Sequence, residues 1–256
     1  MIALIIQARM GSTRLPGKVL RSLAGAPMLA REIERVRAST LVDTIVIATT
    51  DKPEDDTVAQ LASTLGVHCY RGSEQDVLDR YYHAAKGTGA DIVVRITGDC
   101  PLQDPVVIDE VIQHFLDHSE IDYVGTPTNY PEGLDTEVFR FSTLEDAWKN
   151  AQLPSEREHV TPYIKNHPEK YTTVSWTKDT EDNSSMHWSV DTEEDFQFVE
   201  KIFDALYEEG KAFHKDDVLA CLAAHPELLA INKGGTGYEG YAKSLTEDEE
   251  FLKNKS

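Results

Sequence analysis

Short apolar runs alternate with amphipathic segments as far as Asp117. The apolar runs predict buried strands at Ile2–Ile6, Thr44–Thr49, Val67–Tyr70 and Ile92–Ile96. The segments between and after them predict helices over Pro27–Arg37, Glu54–Leu65, Asp76–Lys86 and Pro105–Asp117. A glycine just past one helix and a proline at the start of another mark the expected boundaries. This β-α alternation indicates an α/β fold with a mostly parallel central sheet.

The alternation loosens after Asp117, where a small antiparallel extension of the sheet is expected. Further strands are predicted at Tyr123–Thr126, Glu137–Phe141, Tyr171–Trp176 and His187–Val190. Further helices are predicted at Ser142–Ala151, Arg157–Asn166, Glu193–Glu208 and Asp216–Ala224. We therefore expect one domain over residues 1–230. For a glycine-rich and then acidic tail, residues 231–256, three alternatives are open: it packs on the domain, packs on a partner subunit or stays mobile.

Length and composition fit a soluble globular protein, with 256 residues of which 40% are hydrophobic. The apolar run at Ile2–Ile6 is too short for a signal peptide or a membrane span, so a cytoplasmic protein is expected. The three cysteines are widely spaced and include no CxxC pair. Neither a disulfide framework nor a zinc site is indicated.

The charge is unevenly distributed. The net charge of −20 should repel nucleic acid and anionic membranes, so neither is an expected partner. Residues 1–37 nevertheless hold seven Lys/Arg and only two acids. This local cationic patch indicates a small polyanionic ligand. Three of the arginines (Arg31, Arg35 and Arg37) follow helix spacing beside Glu32 and Glu34, which favours a solvated helix face for them.

The loop after the first strand, QARMGSTRLPGK, lies where open parallel sheets bind ligands. Gly11 and Gly17 permit close backbone approach, and Ser12 offers a hydroxyl. Three cations complete the loop: Arg9, Arg14 and Lys18. Together these groups suit a triphosphate. The spacing differs from Walker A, and no GxGxxG dinucleotide motif is present. The alternative is a surface turn with incidental charge.

Two aspartates follow apolar runs that are far apart in the chain. Asp99 lies in a Gly-Asp-Cys-Pro turn after Ile92–Ile96, and Asp191 follows His187–Val190. Such a pair could hold Mg²⁺ if the two runs are neighbours. Asp99 could instead be an ordinary turn residue, and Asp191 or Thr192 could merely cap the next helix. The acids that follow at 193–195 are interpreted as favouring the dipole of that helix.

Six segments together resemble SpsF-type proteins of spore-coat polysaccharide biosynthesis. They are QARMGSTRLPGKVL, RGSEQDVLDRYYHAA, RITGDCPLQDP, GLDTEVFRFSTLEDAW, REHVTPYI and WSVDTEEDF. Those proteins belong to the cytidylyltransferase group, which includes the enzymes that activate Kdo and sialic, legionaminic and pseudaminic acids. The resemblance runs from Met1 to about Leu229. The turn reads TGDCP, whereas Kdo-activating relatives have glutamine before the glycine and an acid after the aspartate.

The resemblance implies a Rossmann-like nucleotide-diphospho-sugar transferase fold and Mg²⁺-dependent transfer of CMP from CTP to a sugar acid, with release of pyrophosphate. It also implies a homodimer. Asp99 and Asp191 match the metal aspartates. The triphosphate loop matches Arg9, Gly11, Ser12, Arg14 and Lys18, of which Arg14 and Lys18 are expected to act in catalysis. Cytosine recognition is expected near Arg71 and Thr97, with Arg80 on a neighbouring helix. The acceptor is expected near Asp135, Glu137, Arg157 and His159.

Two other functions remain open from the residues alone. Glycosyl transfer from a nucleotide-sugar on the same fold usually requires a DxD motif after a strand, and Gly98-Asp99-Cys100-Pro101 stands in that place. A non-catalytic nucleotide binder would require loss of the aspartates or the cations, and both sets are present. No general base is obvious, although His159 is a candidate.

Overall fold

The computed structural model describes residues 1–232 and 239–255. The strands are β1 (Ile2–Gln7), β2 (Ser22–Leu23), β3 (Ala26–Pro27), β4 (Thr44–Thr50), β5 (His68–Gly72), β6 (Ile92–Thr97), β7 (Tyr123–Gly125), β8 (Glu137–Arg140) and β9 (Thr173–Ser175). The helices are α1 (Met28–Val36), α2 (Asp56–Leu65), α3 (Val77–Thr88), α4 (Pro105–Asp117), α5 (Phe141–Asn150), α6 (Pro154–His159), α7 (Pro162–Lys165), α8 (Glu193–Leu206), α9 (Lys215–Ala224) and α10 (Glu239–Lys255). None of the helices within these two ranges combines the length and the hydropathy that a membrane span requires.

A seven-stranded sheet forms the centre, in the order β5-β4-β1-β6-β8-β7-β9. The strands β5, β4, β1 and β6 are parallel, and β8 pairs antiparallel with both β6 and β7. The predicted α/β fold with its antiparallel extension is confirmed. Because β1 and β6 are parallel neighbours, the loops after Gln7 and Thr97 leave the same edge of the sheet.

Side chains of β1 point alternately to the two faces of the sheet, and they are buried on both. Leu4 and Ile6 point into a cluster with α1, α2 and α4, whereas Ala3 and Ile5 join a second cluster with α3 and α5. Each fully buried isoleucine or leucine contributes about 1.5–3 kcal/mol. A third cluster surrounds Trp188 beneath α8 and α9. It includes Leu23, Leu134 and Phe203, so distant parts of the chain meet there.

Two predicted elements are wrong. His187–Val190 is no strand, because only His187 forms a single bridge, to Glu132. The predicted helix Arg157–Asn166 is split at Val160, which has φ of 70° and sits in a γ-turn closed by Thr161 N–H to His159 O at 2.8 Å. Such a turn is strained for a β-branched residue. Pro162 restarts the helix as α7 since its missing N–H costs nothing at a first turn.

The interpretation of α1 as a solvated face is also wrong in part. Glu32 is fully buried, and Arg35 is nearly so. The Arg35 Nε donates to Gln103 O at 2.9 Å, and its guanidinium lies 3.9 Å from the Phe213 ring centre. Phe213, just before α9, therefore packs against α1. The spacing of residues within α1 cannot predict this contact, because its partner lies far along the chain.

The C-terminal helix α10 packs against α6. Asp248 accepts hydrogen bonds from the Ser155 N–H at 2.9 Å and from the Ser155 hydroxyl at 2.5 Å. Ser244 lies 3.0 Å from the His159 Nε2. The part of the predicted tail at 233–238 and Ser256 lies outside the described residues.

Candidate active site

The loop after β1 folds back on itself. Met10 O accepts from the N–H of Ser12 at 2.9 Å and of Gly17 at 3.0 Å, and Met10 N–H donates to Asp55 at 2.7 Å. Gly17 has φ of 72°, a conformation that favours glycine. This turn starts a short 3₁₀ segment at Lys18 and directs its side chain under the loop.

Lys18 joins the two predicted metal aspartates. Its Nζ donates to Asp99 Oδ2 at 2.8 Å, to Asp191 Oδ1 at 2.9 Å and to Val190 O at 2.7 Å. The Lys18 side chain is only 8% exposed. Burial by itself would lower its pKa, but the charges of Asp99 and Asp191 outweigh this and raise it. The structure thus brings together residues that are up to 173 positions apart.

The turn that carries Asp99 is set by a close backbone approach. Gly98 N–H donates to Gln7 O at 2.8 Å, and a Cβ at Gly98 would lie 2.9 Å from both Gln7 O and the Ala8 Cβ. Asp99 O accepts from Val190 N–H at 2.8 Å. Burial tends to raise the pKa of Asp99, but Lys18 lowers it overall. Asp99 is therefore a carboxylate at neutral pH.

Asp191 is presented to the site, while its neighbour caps the helix. The N-cap of α8 is Thr192, whose side chain accepts from Asp195 N–H at 3.3 Å. Asp195 Oδ2 in turn accepts from the N–H of Asp191 at 3.0 Å and of Thr192 at 2.8 Å. This leaves the Asp191 carboxylate to pair with Lys18 and with Arg14 Nη2, at 2.9 Å.

The other residues predicted to bind the phosphates or the base contact the ends of β4 and β5 or their own loop. Arg9 pairs with Glu74 at 2.8 Å, and a Cβ at Gly11 would lie 3.3 Å from the same Glu74. Ser12 Oγ accepts from Leu15 N–H at 3.3 Å. Arg71 Nε donates to Thr50 O at 2.9 Å.

Two further residues singled out in the sequence, Thr97 and Arg80, contact other groups of the protein. Thr97 Oγ1 lies 3.3 Å from Cys100 Sγ in the aspartate turn. Arg80 is buried and donates to Ser73 O at 2.7 Å, so it supports the segment after β5.

The four residues expected near the acceptor are separated in the structure. Asp135 lines a cavity of about 340 Å³ whose wall also includes Thr126, Tyr130, Glu132, Met186 and His187. The Asp135 side chain is exposed and faces this cavity.

Glu137 is buried and fully engaged. It accepts from Arg95 at 2.5 Å, Tyr123 at 2.6 Å, Lys165 at 2.7 Å and Thr161 at 2.8 Å. Burial tends to raise the pKa of Glu137, but Lys165 and Arg95 lower it. Glu137 thus ties β8 to β6, β7 and α7.

Arg157 and His159 hold helices together. Arg157 Nη2 pairs with Asp76 at 2.5 Å and its Nη1 donates to Trp148 O at 2.8 Å. His159 lies under α10 beside Ser244 and Tyr241, and burial lowers its pKa. Of the four predicted acceptor residues, only Asp135 lines the cavity.

Sequence reasoning missed Glu32. Neither of its oxygens has a hydrogen bond of normal geometry within the described ranges. Burial and the charge of Asp99 raise its pKa well above the ordinary value, which the nearby Cys100 N–H offsets only in part. A signal was available, because position 32 shares the spacing of Leu29, Ile33 and Val36, the buried face of α1.

Sequence reasoning also missed His187, which lies between the carboxylates of Glu132 and Asp195. Side-chain atoms of Glu132, His187 and Asp191 lie within 4.8 Å of one another, close enough to hold a metal ion. However, His187 Nδ1 lies 2.7 Å from Glu132. Burial lowers the pKa of His187, but its bonds to Asp195 and Glu132 prevail and raise it to about 10. The His187 ring is thus engaged by the carboxylates of Glu132 and Asp195. A hard divalent cation prefers oxygen ligands, which Asp99 and Asp191 supply.

Comparison with known proteins gives the family. A profile described as cytidylyltransferase matches residues 3–220. The chain belongs to the cytidylyltransferase family. This cytidylyltransferase is 43% identical over 233 residues to an uncharacterised protein of Methanocaldococcus jannaschii, covering 89% of this chain and 93% of that one. It is 39% identical over 227 residues to the spore coat polysaccharide biosynthesis protein SpsF of Bacillus subtilis, covering 86% and 90%.

A solved structure and a more distant relative agree with this assignment. A cytidylyltransferase from Leptospira borgpetersenii superposes with a TM-score of 0.84 at 32% identity, covering 92% of this chain and 98% of that one. A 3-deoxy-manno-octulosonate cytidylyltransferase of Trichlorobacter lovleyi is 39% identical over 45% of either chain. This cytidylyltransferase is therefore a nucleotidyltransferase, and it is similar to proteins of polysaccharide biosynthesis.

Proposed function

We propose that this cytidylyltransferase transfers CMP from CTP to a sugar acid, with Mg²⁺ and with release of pyrophosphate, for surface polysaccharide or glycan biosynthesis. The observation that carries the proposal is the convergence of Lys18 with Asp99 and Asp191, 2.8 and 2.9 Å away, at the carboxyl edge of the sheet. Cations and carboxylates in one place suit a metal-bound phosphate chain.

In this proposal the opening loop holds the triphosphate. Arg9, Arg14 and Lys18 supply charge, while Gly11 and Ser12 allow the backbone to approach the phosphates. The acceptor hydroxyl loses its proton to solvent, and its oxygen attacks the α-phosphorus in line. The bond from the α-phosphorus to the bridging oxygen of the β-phosphate breaks, and pyrophosphate leaves with the electron pair. Arg14 and Lys18 stabilise the negative charge that builds on the departing group, so catalysis is mainly positioning and electrostatics.

Asp99 and Asp191 would hold Mg²⁺, which when bound neutralises phosphate charge and lowers the pKa of the attacking hydroxyl. In this structure both carboxylates bind the Lys18 ammonium group. A pair of carboxylates placed in this way also suits a divalent ion. Arg71 and Thr97 are proposed to recognise the cytosine. The cavity beside Asp135 lies next to the Asp191 turn and is proposed to take the acceptor.

The family resemblance also supports a cytoplasmic homodimer in which residues 1–230 form the nucleotidyltransferase domain and 231–256 the C-terminal tail. Light scattering coupled to size-exclusion chromatography tests the dimer. Similarity to SpsF and to 3-deoxy-manno-octulosonate cytidylyltransferases supports a sugar-acid acceptor from surface glycan synthesis.

A pyrophosphate-release screen tests the reaction. It crosses the four nucleoside triphosphates with a panel of sugar acids, with and without Mg²⁺. We expect release with CTP and one acceptor class only when Mg²⁺ is present. Asp99→Asn and Asp191→Asn should abolish it, whereas Asp117→Asn, at the far end of α4, should not. Background release in every combination would contradict the proposal.

A further inference from the structure

The His187 ring lies buried between two carboxylates at the side of the proposed metal site. Its Nδ1 is 2.7 Å from Glu132 Oε2, and its Nε2 is 3.6 Å from Asp195 Oδ2 and 3.3 Å from Ser189 Oγ. The side chains of His187 and Asp195 are 6% and 3% exposed. Each ring nitrogen thus has a fixed partner, so the ring has one orientation.

Asp195 connects His187 to the turn that presents Asp191. The same Oδ2 that faces the His187 ring accepts the backbone N–H of Asp191 at 3.0 Å and of Thr192 at 2.8 Å. It also accepts the Thr192 hydroxyl at 2.9 Å. A shift of the Asp195 carboxylate would therefore move the backbone on which the Asp191 side chain is mounted.

Glu132 connects His187 to the cavity that contains Asp135. Its carboxylate is 32% exposed and lines that cavity. The two backbones are joined by Trp188 N–H to Glu132 O at 2.7 Å and by Glu132 N–H to Met186 O at 3.0 Å. At Gly133 a Cβ would lie 2.6 Å from Ser189 N, so the two segments of chain touch directly.

We propose that His187 is a positioning residue that fixes the Asp191 turn against the wall of the acceptor cavity, acting through Asp195 on one side and Glu132 on the other. This inference rests on the proposed function, in which Asp191 holds the metal. A residue that orients a metal ligand typically changes metal affinity or activity by about 10- to 100-fold when it is replaced.

Metal binding without turnover is the direct test. The full chain is titrated with Mn²⁺ in the presence of CTP and without acceptor, and free Mn²⁺ is measured by electron paramagnetic resonance. His187→Ala should weaken Mn²⁺ binding about 10- to 100-fold. His187→Gln, whose amide can still donate to a carboxylate, should recover part of that loss. A merely structural role would lower the melting temperature and leave the Mn²⁺ affinity of the folded protein unchanged.

Two further variants keep the test decisive. Glu132→Ala keeps the Asp195 hydrogen bonds to the Asp191 turn but removes the carboxylate that holds the other side of the His187 ring. It tests the connection even if His187→Ala does not fold, and it should also weaken Mn²⁺ binding. His214→Ala breaks another histidine–carboxylate pair, to Asp104 at 3.1 Å, and should leave the affinity unchanged.

Suppose that Glu132→Ala and folded His187→Ala both bind Mn²⁺ within about two-fold of wild type. This result would overturn the positioning role of His187 but not the proposed function, because the loss of a residue that orients a metal ligand has a larger effect. A wild-type chain that binds no Mn²⁺ with CTP would overturn the proposed metal role of Asp191, and this inference with it. The two failures are therefore distinguishable.

Discussion

Replacing Lys18 by methionine removes the ammonium group that contacts both Asp99 and Asp191, while keeping a side chain of similar length. The Nζ contacts at 2.8 and 2.9 Å are lost, and two carboxylates that are 27% and 18% exposed face each other. Removing one partner of a buried ion pair costs about 3–5 kcal/mol. Partial exposure, and the remaining pair between Asp191 and Arg14, place the expected cost near the lower end.

A loss of about 3 kcal/mol should lower the melting temperature by about 6–12 °C in a chain of this size. Mg²⁺ should then reverse much of the loss, because the freed carboxylates form a binding site that Lys18 no longer fills. At about 100 times its Kd, Mg²⁺ adds about 2.7 kcal/mol to the folded state. The wild type should gain much less, since Mg²⁺ must first displace the Lys18 ammonium.

Thermal melts with and without MgCl₂, in the absence of nucleotide, measure both effects. Lys52→Met is the matched control, because it removes an exposed lysine that pairs with Glu74. That variant should lose less than about 1 kcal/mol and should respond to Mg²⁺ as the wild type does. The reasoning is refuted if Lys18→Met melts with the wild type, or if Mg²⁺ stabilises both equally. In the pyrophosphate assay, Lys18→Met should lower the rate about 10²–10³-fold.

Three further outcomes are expected. The fold raises the pKa of Glu32, so its stability contribution is complete below the unfolded pKa of about 4.3 and is lost as pH rises; Glu32→Gln should therefore raise the melting temperature at pH 8 but not near pH 4, and an equal change at both pH values would contradict this. Gly98→Ala places a Cβ 2.9 Å from Gln7 O; it should displace the Asp99 turn and lower kcat about 10²-fold, whereas Gly87→Ala, where a Cβ meets open space, should not. Asp248→Ala leaves Ser155 without its partners and should cost about 1–3 kcal/mol in chemical denaturation; an unchanged denaturation midpoint would show that α10 does not stabilise α6.

Local patterns in the sequence were enough to predict the layered fold and the edge on which the site lies. The apolar run of β1 and the apolar stripe of α1 depend on neighbours in the chain, so the elements they form could be predicted without any long-range contact. The placement of the loop at Gly11 and of Asp99 on one edge followed from the expectation of parallel strands. The family resemblance then pointed to the same residues that the structure brings around Lys18.

Which polar groups are available, and which are committed to the protein, depends on contacts between distant segments. Thr192 rather than Asp191 caps α8, and Arg157 and His159 bind other helices instead of facing the cavity with Asp135. A polar side chain has the same local signal in either role, because its partner comes from far along the chain. A buried charge must be compensated wherever the fold places it, and for Lys18 the compensating carboxylate of Asp191 lies 173 positions away.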